Sequence, residues 1–141
     1  MQKSTQAGLA ISLLSCFAIH AAVAGELRLQ HFPGAQGLPL PSMNVEGTNA
    51  FLKDVVGNSD KKSPLTCGLF RMEKGKSLTY TYDYDEAKII LEGAMTVSDG
   101  TSTVEAKAGD VLYFPKGATI NFSATSSGLG FICGNREFGG A

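Results

Sequence analysis

The sequence predicts an all-β fold in which short antiparallel strands close into a barrel or a double-sheet jelly roll. Three observations carry this expectation. Runs rich in Val, Ile, Thr, Tyr and Phe recur at short, even intervals between residues 65 and 134, and Gly, Pro or Asp punctuates the gaps. No helical period is sustained after residue 25. Asp99-Gly100 lies between two alternating segments, a strong hairpin signal because tight hairpin turns need residues that tolerate positive φ.

The elements follow in chain order. Lys3 precedes an apolar stretch from Leu9 to Ile19, and Ala22-Val23-Ala24 forms a small-x-small pattern before Gly25. These features mark residues 1–24 as a secretory signal peptide, too short for a stable membrane span. A secreted or periplasmic location is therefore expected; the alternative is a cytoplasmic protein with an ordinary N-terminal helix. Residues 25–64 hold Pro33, Pro39 and Pro41 among several glycines, which blocks helix and central strand alike. They read as an extended arm over the barrel, with a first strand at 50–56 and a polar loop before Leu65.

The barrel itself is expected over residues 65–134. Strand candidates lie at 65–73, 78–84, 87–91, 95–98, 101–104, 111–114, 119–124 and 130–133. A two-residue turn at Asp99-Gly100 sets Met95 opposite Val104 and Thr96 opposite Thr103, so apolar meets apolar and polar meets polar. Residues 135–141 read as a loose tail.

Composition narrows the function. The 141 residues suffice for one domain. A formal net charge of -1, with no basic stripe, leaves no footprint for nucleic acid. Beyond residue 24 two cysteines remain, Cys67 and Cys133. They form a bridge in an oxidising compartment or sit as two small buried hydrophobes, and their number alone does not choose. Gly75-Lys76-Ser77 matches the end of a phosphate-binding loop, but the first Gly of such a loop falls on Phe70, so a turn is the better reading. Asn121-Phe122-Ser123 is a glycosylation triplet inside a predicted strand, which argues against its use.

Two stretches carry a family resemblance. Gly109-Asp110-Val111-Leu112-Tyr113-Phe114-Pro115-Lys116-Gly117 resembles the second cupin motif, a Gly, five residues and Pro-x-Gly. The run from Tyr84 to Gly93 resembles the end of the first, with Glu86 and Gly93 in the motif positions. Tyr84-Asp85-Glu86, Leu91-Glu92-Gly93 and Pro115-Lys116-Gly117 together are similar to the ethanolamine-utilisation EutQ-like cupins. The resemblance implies an RmlC-like jelly-roll β-barrel, and that family is also associated with acetate kinase activity. No residue here reads as a nucleotide site.

The departures from the motif bear on chemistry. A metal-binding cupin places His-x-His before the motif Glu and a further His after the second motif. Those positions here fall on Tyr80 and Tyr82, or Thr79 and Thr81, and then on Ile120. Only Glu86 persists. One carboxylate with phenols and an aliphatic side chain is not a transition-metal donor set, so no metal and no other cofactor is expected.

The resemblance places Tyr80, Tyr82 and Glu86 at the mouth of the barrel. Strand alternation sets Leu78, Tyr80 and Tyr82 on one face, while the acidic bend at residues 83–85 leaves the facing of Tyr84 open. Tyr82 and Glu86 are the candidate catalytic pair: a desolvated carboxylate titrates nearer neutrality, and a phenol donates to a developing oxyanion. Tyr80, Tyr113 and Lys88, if it points inward, are candidate ligand contacts. Asp83 and Asp85 read as turn residues. The expected function is metal-free binding of a small polar or anionic molecule, with acid/base chemistry on it. A non-catalytic cupin assembling as a homodimer, with the tyrosines as core packing, is one alternative. A metal-dependent cupin with an atypical ligand set is another.

Overall fold

The computed structural model describes residues 28–140, so the expected signal peptide lies outside the described residues. Its elements are a short 3-10 turn at Ala35–Gly37 and eight strands. These are β1 (Ala50–Gly57), β2 (Thr66–Glu73), β3 (Leu78–Thr81), β4 (Glu86–Ser98), β5 (Thr103–Lys107), β6 (Val111–Phe114), β7 (Thr119–Ser123) and β8 (Ser127–Gly134). All pairings between these strands are antiparallel, and no helix among the described residues is long and apolar enough to cross a membrane.

The strands run in the order β1-β2-β8-β4-β7-β3, with β5 and β6 also paired to β4. Strand β4 joins the two sheets of the roll. Its first half, from Glu86 to Gly93, pairs with β8 and β6; its second half, from Ala94 to Ser98, pairs with β5 and β7. The change of sheet is made at Ile90 to Glu92, where the register against β8 shifts, and at Gly93, whose φ of 62° suits glycine. The two strands expected at 87–91 and 95–98 are thus one bent strand of 13 residues.

Between the sheets lies an aromatic spine. The Phe70 and Phe122 ring centroids are 5.3 Å apart, and Phe122 meets Phe114 edge-on at 5.6 Å. Phe114 in turn stacks on Tyr82 at 5.2 Å. Such pairs add about 0.5–1.5 kcal/mol each beyond their burial.

Two local expectations are corrected, and the open question of the cysteines is decided. The hairpin after β4 pairs Met95 with Ala106, Thr96 with Glu105 and Val97 with Val104. The two-residue shift keeps every side chain on its expected face, because strand alternation has period two. Its cause is Asp99, whose carboxylate accepts the Thr101 and Ser102 backbone N–H groups at 2.8 and 2.6 Å and widens the turn to four residues. The supposed loose tail is anchored: Arg136 is 5% exposed, and its guanidinium pairs with Asp54 on β1. The arm bonds to β1 through Met43 N to Ala50 O and Leu52 N to Pro41 O, at 2.9 and 3.1 Å. Cys67 and Cys133 stand directly opposite on β2 and β8 with Cα atoms 4.1 Å apart, and they are disulfide-bonded.

Candidate functional site

One alternation builds the site. From Leu78 to Ile90 every even residue turns inward and every odd residue is exposed, and the pattern runs unbroken through the acidic bend. Tyr82, Tyr84, Glu86 and Lys88 are buried in succession, and Tyr80 is half-buried. The bend keeps this phase because its backbone is held extended, with Tyr82 N donating to Ala118 O and Gly117 N to Tyr82 O at 2.9 and 2.7 Å.

Asp85 fastens the outside of the bend. Its carboxylate accepts the Lys116 N–H at 2.8 Å and the Tyr113 hydroxyl at 3.0 Å, and its own N–H donates to the Asn135 side chain at 2.7 Å. The Lys116 bond and then the Tyr113 bond hold its carboxyl below the usual aspartate range. Tyr113, a candidate ligand contact from the sequence, is 64% exposed and lies outside the cavity. It pairs with Ala87, whose side chain faces outward, so strand phase puts it on the wrong side of the sheet for a barrel ligand. On the inner side, a Cβ at position 134 would stand 2.8 Å from the Tyr84 ring, so Gly134 makes room for that ring.

Inside, three groups converge on one carboxylate. The Tyr82 hydroxyl donates to Glu86 Oε1 at 3.0 Å, and the Tyr84 hydroxyl to Oε2 at 3.5 Å. Lys88 Nζ lies 3.5 Å from the same Oε1, with both side chains 3% exposed or less. The ammonium also rests on aromatic faces, 4.1 Å from the Phe70 centroid and 4.3 Å from that of Phe122. The sequence places Lys88 inside only conditionally and gives Phe70 and Phe122 no part in the site. The signal that finds all of them is the inward phase of β4 read together with its neighbours.

Burial sets the protonation states. It lowers the Lys88 ammonium to about 8 against the opposing pull of Glu86. It raises the Tyr82 phenol well above its ordinary value, and the Glu86 charge raises it further. Tyr84 is raised by burial and then by the Tyr80 hydroxyl beside it. Both phenols therefore remain donors across the physiological range. The free cavity beside this cluster is about 20 Å³, room for roughly one water molecule. Met43 from the arm and Leu52 from β1 close its remaining side.

Solved structures place this architecture. An RmlC-like cupin from Shewanella frigidimarina shares the fold with a TM-score of 0.58 at 16% identity, over 75% of this chain and 90% of that one. An ethanolamine utilization protein Q from Salmonella typhimurium matches with a TM-score of 0.57 at 28% identity, over 67% of this chain and 76% of that one. The fold is the cupin jelly roll.

A cupin metal does not fit here. The inherited positions Tyr80 and Ile120 face each other across β3 and β7, and the aliphatic member offers no donor. Glu86, the one carboxylate left in the set, already faces the Lys88 ammonium. A divalent cation there would meet a fixed positive charge in a low-dielectric core. Among the described residues no group of three or more His, Cys, Asp or Glu side chains is placed to hold an ion.

Sequence relatives narrow the family. The Escherichia coli K12 protein named acetate kinase EutQ is 40% identical over 76 residues, which is 54% of this chain and 32% of that protein. Its Clostridioides difficile namesake is 28% identical over 106 residues, 69% of this chain and 67% of that protein. The chain thus spans only about a third of the Escherichia coli relative. The model of the family described as ethanolamine utilisation protein EutQ matches residues 44–133, well over half of the sequence, and the chain belongs to that family.

Proposed function

We propose that this chain is a metal-free cupin module that takes a small, uncharged polar molecule into its barrel and moves protons on it. One observation carries the reading: a buried carboxylate, a buried ammonium and a phenol meet at a single oxygen, Glu86 Oε1, beside a small cavity. Lys88 and Glu86 neutralise each other, so the pocket has no surplus charge to hold an anion. Of the polar or anionic ligands expected from the sequence, the neutral polar class is favoured. Tyr82 and Tyr80 supply hydroxyls for a carbonyl or hydroxyl oxygen, and Glu86 and Lys88 supply a base and an acid. A nucleotide does not enter a cavity of about 20 Å³, so phosphoryl transfer is not proposed for the barrel interior. The test is a ligand panel read by NMR on wild type, Tyr82→Phe and Glu86→Gln. Weakened binding in both variants supports the reading, and binding identical to wild type ends it.

A second reading, assembly as a homodimer, is favoured by the outer face of β4 and β6. There Ile89 and Val111 pair beside Tyr113, and all three side chains are exposed. Sedimentation should show a dimer that Val111→Asp dissociates; a monomeric wild type at high concentration refutes it. The Cys67–Cys133 bridge supports an oxidising compartment, in line with the export expected of residues 1–24.

A further inference from the structure

Three successive residues at the C-terminal end of β8 attend to Tyr84. Gly134 leaves room for its ring, since a Cβ there would stand 2.8 Å away. Asn135 clasps the residue after it: the Asn135 N–H donates to Asp85 O at 3.2 Å, and the Asn135 side-chain oxygen accepts the Asp85 N–H at 2.7 Å. Arg136 lays its guanidinium over the ring, with Cζ 5.7 Å from the centroid. The Asp54 ion pair uses Nη1 and Nη2 of that group, while Nε is buried with no hydrogen-bond acceptor among the described residues. A lysine would neutralise Asp54 without that stranded donor, which costs about 1–3 kcal/mol. What the guanidinium adds is a flat cation against the face of Tyr84.

The Tyr84 hydroxyl is the contact at the cavity that depends on being held. It stands 3.5 Å from Glu86 Oε2, at the outer limit of a hydrogen bond. The Tyr82 hydroxyl is 3.0 Å from Oε1, and its ring is stacked on Phe114. A ring shift of roughly half an ångström breaks the first bond and spares the second. The Tyr80 hydroxyl lies beside that of Tyr84 as a competing partner. Across the ring, the Arg136 and Glu86 charges attract each other, which draws the two sides together.

We propose that Asn135 and Arg136 are positioning residues for the cavity: they hold the Tyr84 ring so that its hydroxyl covers Glu86 Oε2, and docking of the C-terminal segment thereby regulates whether that oxygen is closed or open to a ligand. The role deepens the reading of Glu86 as the base of the barrel, and its functional meaning rests on that reading. The segment is anchored on β1 and β2, where Asp54 takes the Arg136 guanidinium and the Gly139 N–H, and the Thr66 hydroxyl donates to Arg136 O. Neither Asp54 nor Thr66 lines the cavity. Loosening the segment at these remote anchors therefore reaches Glu86 through Tyr84, with no change to Tyr82 or Lys88.

The experiment follows the two buried hydroxyl protons by NMR in the disulfide-bonded chain, with Tyr82→Phe and Tyr84→Phe assigning the signals. Their exchange with water is measured in wild type, Asn135→Ala and Arg136→Lys. The lysine keeps a cation for Asp54 and loses the flat face over Tyr84. In both variants the Tyr84 hydroxyl is expected to exchange at least about tenfold faster, while the Tyr82 hydroxyl keeps its wild-type rate. Equal acceleration of both hydroxyls means that the whole fold has loosened, and it overturns the positioning role. A Tyr84 rate unchanged in the folded variants overturns it as well. Should Arg136→Lys fail to fold, Asn135→Ala decides, because it leaves the Asp54–Arg136 pair intact. The readout uses no ligand, so a ligand panel without a binder removes the small-molecule reading alone.

Discussion

Lys88 and Glu86 lie two residues apart on one strand, and their charged ends meet at 3.5 Å against the aromatic core cluster of the jelly roll. Such a pair is expensive to desolvate, and its net contribution to stability is small or negative compared with hydrophobic residues of equal volume. Its presence at the cavity, and not at the surface where charges are cheap, is what supports the proposed role.

The first prediction concerns pH. Burial lowers the Lys88 ammonium from an ordinary 10.5 to about 8. Between those values the unfolded chain binds more protons than the folded one, so stability rises with pH. Above about pH 10 the trend reverses, because the Tyr82 and Tyr84 phenols ionise in the unfolded chain and remain protonated in the fold. Urea unfolding should therefore show a gain of about 2 kcal/mol from pH 8 to pH 10. Lys88→Met should flatten that rise. A wild-type profile flat over this interval contradicts the burial of a titrating ammonium.

Breaking the pair from the other side gives a second prediction. Glu86→Gln leaves the Lys88 ammonium buried without its counter-charge, a loss of about 3–5 kcal/mol for pairs of this kind. Raising the pH lets the lysine shed its proton, so the defect should be smaller at pH 9 than at pH 6. The double variant Glu86→Gln/Lys88→Met should recover most of the loss, since no unpaired charge remains. Equal destabilisation in the single and double variants would show that the carboxylate acts through Tyr82 and Tyr84 rather than through Lys88.

What was legible in the chain, and what was not, follows from the range of each interaction. The inward phase of Leu78, Tyr80 and Tyr82 is local alternation, and it extends to Glu86 and Lys88 without change. Tyr84 was obscured because acidic residues on both sides of it suggested a break in the strand. The bend is instead held by Gly117 and Ala118 from the next turn and by Asn135 from the far end of the chain. The hairpin register failed for a different reason: the Asp99 side chain competes for the turn N–H groups that a two-residue loop would leave unused. Motif spacing alone yields a site stripped of its metal ligands. That a lysine fills the space follows only when β2, β6 and β7 bring Phe70, Phe114 and Phe122 around it.

The disulfide supports a third prediction. It closes a loop of 66 residues and ties β2 to β8 at directly opposed positions. In the chain-entropy account a loop of this length gives about 4 kcal/mol, from restriction of the unfolded chain. Cys67→Ser/Cys133→Ser, or reduction of the wild type, should lower the urea midpoint accordingly, with the slope steeper because the unfolded state expands.

The last prediction concerns the C-terminal segment. Arg136 packs its guanidinium against Asp54 through Nη1 to Oδ2 at 2.9 Å and a second contact from Nη2, with both side chains 8% exposed or less. Gly139 N–H donates to the same carboxylate at 2.6 Å, and the Thr66 hydroxyl bonds to Arg136 O at 2.8 Å. Burial pushes the Asp54 carboxyl up, but the Arg136 and Gly139 bonds outweigh it and hold the carboxyl below the ordinary aspartate range. A lowered carboxylate contributes stability that is complete above its ordinary pKa and is lost as acid titrates the folded form. Arg136→Ala should therefore cost about 3–5 kcal/mol at neutral pH, far more than removal of a surface charge, because it strands a buried carboxylate. The cost should shrink below pH 4, where Asp54 in the variant takes up a proton. Deleting residues 136–141 should do at least as much damage as the point change. A truncated chain that unfolds at the wild-type urea concentration would mean the segment is a passenger and not part of the fold.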